Sequence, residues 1–269
     1  MKEFNIEVLN KIIANLEKQG KLFANKEQLQ FEIAIALKDN NYDVELEVLS
    51  MSHNEIIMNE KGEKLYTDIV VSLGDNKYVA IELKYKLKQR HIVYNVNNKN
   101  IFAFPQGAYN IGSYAFLKDV ERLERLTRAN REDKILFNFN KENKIIKSYA
   151  LLFTNDKNYF TESSDKNNLN KDYKLVGEKT GELYNYVAID ENGNRIKRPS
   201  RKQRQKLVAI KDENDCIKYF NRLRKDKMPI NLKGKYFCDW KDYNLQGCEN
   251  YGNEFTPKFK YLLLEIDNI

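Results

Sequence analysis

At 269 residues, with 42% hydrophobic and 12% aromatic side chains, the chain can bury a sizeable core as one large domain or two small ones, and its composition excludes a disordered polymer. The net charge of +7 is local: the segment 195–206, RIKRPSRKQRQK, holds Arg195, Lys197, Arg198, Arg201, Lys202, Arg204 and Lys206 with no acid, and the remaining charges balance. Cys216, Cys238 and Cys248 lie far apart without CxxC spacing, which argues against a disulfide framework or a zinc site and for a reducing compartment.

The first residues carry Phe4, Val8, Leu9, Ile12, Ile13 and Leu16 at three-to-four spacing, predicting an amphipathic helix that stops at Gly20. They contain no apolar signal-peptide core, and no apolar run approaches the ~18 residues that span a bilayer, so a soluble, cytoplasmic protein is expected. A second helix is predicted in NKEQLQFEIAIALKD, where Asn25 and Gln28 have capping-box spacing and Leu29, Ile33, Ala36 and Leu37 line one face. VELEVLSM (44–51) alternates like a strand. YTDIVVSLGDNKYVAIELKYK (66–86) reads as two apolar strands joined at a Gly-Asp-Asn turn. SYAFLKDVERLERLTRAN (113–130) predicts a helix with Phe116, Leu117, Val120, Leu123 and Leu126 inward and its charges outward, and KSYALLFTND (147–156) a buried strand. Residues 157 to about 195 have the polar composition of long loops or an insertion. PINLKGKYFCDW (229–240) and FKYLLLEI (259–266) read as closing strands. The order predicts an α/β fold, a mixed sheet flanked by helices. Residues 1–156 form its core, and 157–269 a β-rich elaboration packed on it within one continuous domain.

Charges within strands this apolar are costly unless they serve a purpose. Glu82 and Lys84 share one strand face, and Asp68 shares its face with Val70 and Ser72. A two- or four-residue loop would set Asp68 opposite Leu83, on the wrong face. A three-residue loop, Gly74-Asp75-Asn76, pairs Leu73 with Lys77 and Asp68 with Glu82, their Cβ atoms about 5 Å apart. Two carboxylates so close repel unless a cation intervenes. Hard oxygen ligands suit Mg²⁺, and a neighbouring ammonium can orient a water and balance charge in a phosphoryl-transfer transition state. Asp plus Glu-x-Lys on adjacent strands is therefore compatible with metal-assisted phosphodiester hydrolysis. The competing reading is a surface salt-bridge cluster on an edge strand, against which the apolar residues on both faces of VAIELKY argue.

TDIVV followed by VAIELKY resembles the signature of the PD-(D/E)XK, or restriction-endonuclease-like, nuclease superfamily. The resemblance covers roughly residues 24–155. It implies a Mg²⁺-dependent nuclease, with Mn²⁺ able to substitute, acting on DNA as an endonuclease of restriction or defence type. Asp68 and Glu82 with the Leu83 carbonyl would hold the metal, and Lys84 would manage the attacking water. A further glutamate from the preceding helix would complete the site: Glu32 is the candidate and Glu27 its rival. Thr67 stands where the motif's nominal proline would be. A nucleic-acid-binding module that keeps the fold without catalysis, and a nuclease acting on RNA, are the alternatives. Double-strand cutting by one site per chain would favour a two-fold homodimer.

Weaker signals surround this pattern. The basic segment 195–206 is either a solvated loop or a phosphate-holding patch. Gln106 precedes Tyr109 by three residues and fails the superfamily's Q-x-x-x-Y spacing, leaving a phosphate contact or a turn. Lys86, Lys88, Arg90 and His91 either touch a nucleic-acid backbone or solvate a loop. His53 and His91 are the only histidines, which excludes metal clusters built on several of them.

Overall fold

The computed structural model describes residues 3–49, 51–52, 55–56, 64–88, 92–96, 99–103, 109–132, 143–161, 173–183, 187–188, 207–208, 230–244, 249–250 and 259–267. In chain order these form α1 (Ile6–Lys18), α2 (Lys26–Asp39), β1 (Asp43–Leu49), β2 (Met51–Ser52), β3 (Glu55–Ile56), β4 (Tyr66–Gly74) and β5 (Lys77–Lys86). There follow β6 (Ile92–Val96), β7 (Lys99–Ala103), α3 (Tyr109–Glu132), β8 (Lys144–Thr154), β9 (Glu178–Leu183), β10 (Val187–Ala188) and β11 (Leu207–Val208). The last are β12 (Ile230–Phe237), β13 (Trp240–Tyr243), β14 (Glu249–Asn250) and β15 (Phe259–Ile266).

Six strands make one mixed sheet in the order β1-β4-β5-β8-β15-β13, and β5 against β8 is its parallel pair. That pair needs a crossover, which α3 supplies. The central strands are buried on both faces, which is why they read as near-continuous apolar runs. On one face Ile69, Val71, Ile81, Leu83, Leu151 and Phe153 pack against α1 and α2 through Leu9, Ile13, Leu29 and Ile33. On the other, Val70, Ala80, Ala150, Leu152 and Leu264 meet Phe116, Val120, Leu123 and Leu126 of α3. The result is an α/β fold, helices covering both faces of a mixed sheet.

Local chemistry sets the helix ends. The Asn5 side chain accepts from the N–H groups of Glu7 and Val8 at the start of α1, and Gly20 beyond its end has φ +64°, a conformation that costs glycine little. Asn25 accepts from the Gln28 N–H at 2.9 Å, as its spacing predicts, but the Gln28 side chain takes its return bond from Ala24 N–H at 2.7 Å, one residue before the cap.

Beyond residue 156 the predicted strand 259–266 is present as β15, but other segments depart from the sequence expectation. Within the polar stretch 157–195, Glu178–Leu183 is a strand (β9) that pairs antiparallel with β12. The segment 229–240 is not one strand. Its first part, β12, alternates buried and exposed residues over α3, whereas Trp240 opens β13 at the edge of the main sheet. β15 is inserted between β8 and β13, so the end of the chain supplies two strands of the sheet that holds β4 and β5.

α3 also differs: Arg122 and Glu124 are buried, so its charges do not all point outward. At ~100° per residue, Asp119 and Glu124 fall within the arc swept by Leu126, Leu123, Phe116, Val120 and Leu117. Glu124 accepts from the N–H groups of Lys233 and Gly234 and from the Tyr236 hydroxyl at 2.7–3.0 Å, satisfying donors of β12 where its register with β9 shifts. No described helix is long and apolar enough to cross a membrane.

Candidate active site

The β4–β5 hairpin reaches the expected register by a different turn. Gly74 pairs with Lys77, so the loop is the two-residue Asp75-Asn76, both residues left-handed with φ 51° and 58°. The register then shifts between Ser72 and Gly74, and this one-residue offset restores Ser72↔Tyr78 through Ile69↔Ile81. The expected three-residue loop is thus replaced by a two-residue turn plus a bulge, with the same consequence: Asp68 falls in line with Glu82.

The paired register of β4 and β5 ends at Ile69↔Ile81. Just beyond it the Asp68 carboxylate takes over the role of a ladder partner, Oδ2 accepting from Leu83 N–H at 2.7 Å. A residue's N–H and C=O face the same strand edge, so the Leu83 carbonyl is directed to the side where Asp68 sits. Asp68 and Glu82 are only 3% and 4% exposed. A core has no use for two such carboxylates, and the edge-strand alternative fails because β5 is flanked by β4 and β8.

Three cations close on the pair from two helices and one strand. Arg122 of α3 meets Glu82 Oε1 at 2.6 Å, stands 3.6 Å from Asp119, and donates from Nη1 to the Tyr66 carbonyl at 3.1 Å. Lys84 Nζ lies 2.6 Å from Asp119 Oδ2, and Lys26, the first residue of α2, lies 2.5 Å from Asp68 Oδ1. Glu82 Oε1 and Asp119 Oδ2 are buried against these cations. Gln30, buried on α2, donates from Nε2 to the Asp68 carbonyl at 2.7 Å and to Glu47 Oε1 at 2.8 Å. Glu47 itself is left-handed within β1, with φ 52°, a strained conformation for a non-glycine residue.

The electrostatics follow from this crowding. Burial, with Asp68 and Asp119 adding to it, pushes the Glu82 carboxyl up to about 8 against the opposing pull of Arg122 and Lys84. Burial works to lower the Lys84 ammonium, but Asp119, joined by Glu82 and Asp68, outweighs it and the net shift is upward. Burial works to lower the Arg122 guanidinium too, but Glu82, Asp119 and Asp68 together outweigh it and hold it above its ordinary value. Lys86 is depressed, first by burial and then by Lys84 and Lys26, a sign of dense positive charge on this side.

Asp68, Glu82 and Lys84 are brought to one locality. Glu32 is not: it pairs with Lys21 at 3.0 Å, and at ~100° per residue it points away from Lys26 and Gln30, the α2 residues that touch Asp68. Its rival Glu27 is exposed in the first turn. Gln106, Arg90, His91, His53 and all seven basic residues of 195–206 lie outside the described residues. The sequence reading missed Lys26, Gln30, Asp119 and Arg122. For Asp119 the signal was present, an acid within the apolar arc of α3; for Lys26, at a helix start, none was. Among the described residues no three or more His, Cys, Asp or Glu side chains converge as a metal-holding group.

No family model matches the chain, and neither a curated protein nor a solved structure matches it.

Proposed function

We propose that the protein is a restriction-endonuclease-like, metal-dependent nuclease that hydrolyses phosphodiester bonds in DNA. The observation that carries this reading is the convergence of buried Asp68 and Glu82 where β4 and β5 stop pairing, with Lys84 two residues further along the same strand. The donor set fits Mg²⁺, which takes one or two carboxylates and keeps several waters, so a third acidic ligand is not required. Glu82, buried with its carboxyl pushed up by its surroundings, is a group that a divalent cation would relieve.

Asp68 and Glu82, with the Leu83 carbonyl, would hold the metal, and Mn²⁺ would substitute. Bound there, the ion supplies Lewis-acid stabilisation of a phosphate oxygen. The chain does the rest. Arg122 fixes Glu82 from above the sheet, the Leu83 N–H fixes Asp68 within it, and Asp119 holds Lys84 in its charged form beside them. Lys84, partly exposed, then orients the attacking water and offsets charge as the phosphate oxygens become more negative. The segment 195–206 would hold backbone phosphates.

A second reading has its own support. Each of the three carboxylates already has a cation beside it, as a structural network in a binding module would. Supercoiled and linear DNA digested with Mg²⁺, Mn²⁺ or EDTA, with RNA alongside, separates them. Nicking or linearisation that requires metal and vanishes in Lys84→Ala and Asp68→Ala, with DNA binding retained, supports the nuclease. Cleavage that survives Lys84→Ala refutes the site, and DNA binding without cleavage under any metal favours the binding module. Cleavage of RNA alone moves the substrate.

A further inference from the structure

Asp68 is the most enclosed carboxylate of the cluster, and its two oxygens are divided between unlike partners. Oδ2 is held by a main-chain N–H inside the sheet, whereas Oδ1 meets the ammonium of Lys26 at 2.5 Å. Lys26 is in an electrostatically poor place by its own helix: it opens α2, where the backbone presents partial positive charge. Its position is therefore explained by Asp68. Of the three cations in the cluster it is also the most exposed, 30% against 23% for Lys84 and 8% for Arg122. An ammonium on a flexible four-carbon stem can leave for water at small cost, whereas the buried guanidinium of Arg122, also bonded to the Tyr66 carbonyl, cannot.

We propose that Lys26 is a built-in counter-ion of Asp68 that a divalent cation must displace, so that Lys26 sets the metal affinity of the site. The inference rests on the reading of Asp68 and Glu82 as metal ligands and adds to it a residue outside that ligand set. The reason is exclusion: an ammonium in contact with Oδ1 and a divalent ion on the same carboxylate repel at close range in a poorly solvated site. In the absence of metal, Asp68, Glu82 and Asp119 are matched by Lys26, Lys84 and Arg122. Metal entry with release of Lys26 removes one positive charge as two arrive, and the freed ammonium stays at the rim of the site, where a substrate phosphate would meet it.

The test is Mn²⁺ binding by calorimetry on the full chain, comparing the unmodified protein with Lys26→Met, Lys26→Arg and Asp68→Asn. Methionine keeps the stem and removes the charge, so Lys26→Met is expected to bind Mn²⁺ at least tenfold more tightly. Lys26→Arg is expected to restore the weaker affinity, and Asp68→Asn to abolish binding. Unchanged or weaker binding in Lys26→Met, with Asp68→Asn still abolishing it, overturns the role of Lys26 and leaves the metal site standing. No Mn²⁺ binding in any variant overturns both. A second measurement needs no variant: acylation of Lys26 by an amine-reactive ester, read by mass spectrometry, is expected to rise when Mn²⁺ is added to the unmodified protein. Protection that stays the same or increases overturns the displacement.

Discussion

Replacing Arg122 with methionine would leave Glu82 buried without its principal counter-ion. Their side chains are 8% and 5% exposed and approach to 2.6 Å. Unit charges about 4 Å apart attract by about 4 kcal/mol at an effective dielectric of about 20. Breaking one side of a buried pair costs about 3–5 kcal/mol, because the survivor stays desolvated. Loss of the Arg122 bond to the Tyr66 carbonyl adds about 1 kcal/mol, and the methionine stem preserves most of the packing. At a pH above the folded value of Glu82, about 8, the expected outcome in chemical denaturation with EDTA is a loss of about 3–5 kcal/mol for Arg122→Met, most of it recovered in Arg122→Met/Glu82→Gln, where no charge remains to be stranded. The loss should depend on pH in a stated direction. Glu82 has a folded value raised above its unfolded 4.5, so the folded protein favours the protonated carboxyl. Without Arg122 that value rises further, so the variant's extra loss is smallest below pH about 8, where both folded proteins keep Glu82 protonated, and grows as pH climbs through that value. A single-mutant loss under about 1 kcal/mol, or a double mutant equal to the sum of the singles, would refute the pairing as an energetic unit.

Glu124→Ala removes the acceptor shared by Lys233 N–H, Gly234 N–H and the Tyr236 hydroxyl, and should cost about 2–4 kcal/mol with faster hydrogen exchange confined to β12; protection unchanged at Lys233 and Gly234 would contradict it. Gly112→Ala puts a Cβ 1.9 Å from the Tyr159 hydroxyl oxygen and 2.9 Å from its Cζ, so denaturation should show a loss of about 1–3 kcal/mol, partly relieved by Tyr159→Phe. Burial pushes the Cys238 thiol up to about 12 against a small opposing pull from Lys179, so at pH 8 only about one molecule in 10⁴ carries the thiolate; native alkylation followed by peptide mapping should leave Cys238 unlabelled until denaturant is added. Neutralising Arg201, Lys202 and Arg204 together should flatten the salt dependence of DNA binding by a slope of up to about 3, and an unchanged slope would make that segment a solvated loop.

Much of this molecule was legible because short-range chemistry is written in neighbours. Apolar spacing located α1, α2 and α3, the Asn25 cap marked the start of α2, and the unbroken apolar runs of 66–86 and 147–156 gave the central strands. Strand alternation alone put Glu82 and Lys84 on one face. The alignment of Asp68 with Glu82 was reached through the wrong turn: a left-handed Asp75-Asn76 pair with a bulge gives the same one-residue offset as the three-residue loop, and alternation cannot tell these apart.

Tertiary structure decided what local pattern cannot carry. Lys26 and Asp68 are 42 residues apart, and Arg122 reaches Tyr66 across 56, contacts set by how α2 and α3 cross the sheet. The family resemblance points to a glutamate on the helix before β4 and so to Glu32, yet helix rotation turns it to Lys21. β15 enters the sheet between β8 and β13 because its both-sided apolar surface needs neighbours on two edges and cover on two faces, and only the assembled fold provides them. The sequence by itself determined that two carboxylates and a lysine would share a strand pair. Which cations would answer them was a matter of packing, since an ion pair in the interior forms only where the fold brings opposite charges together and excludes water.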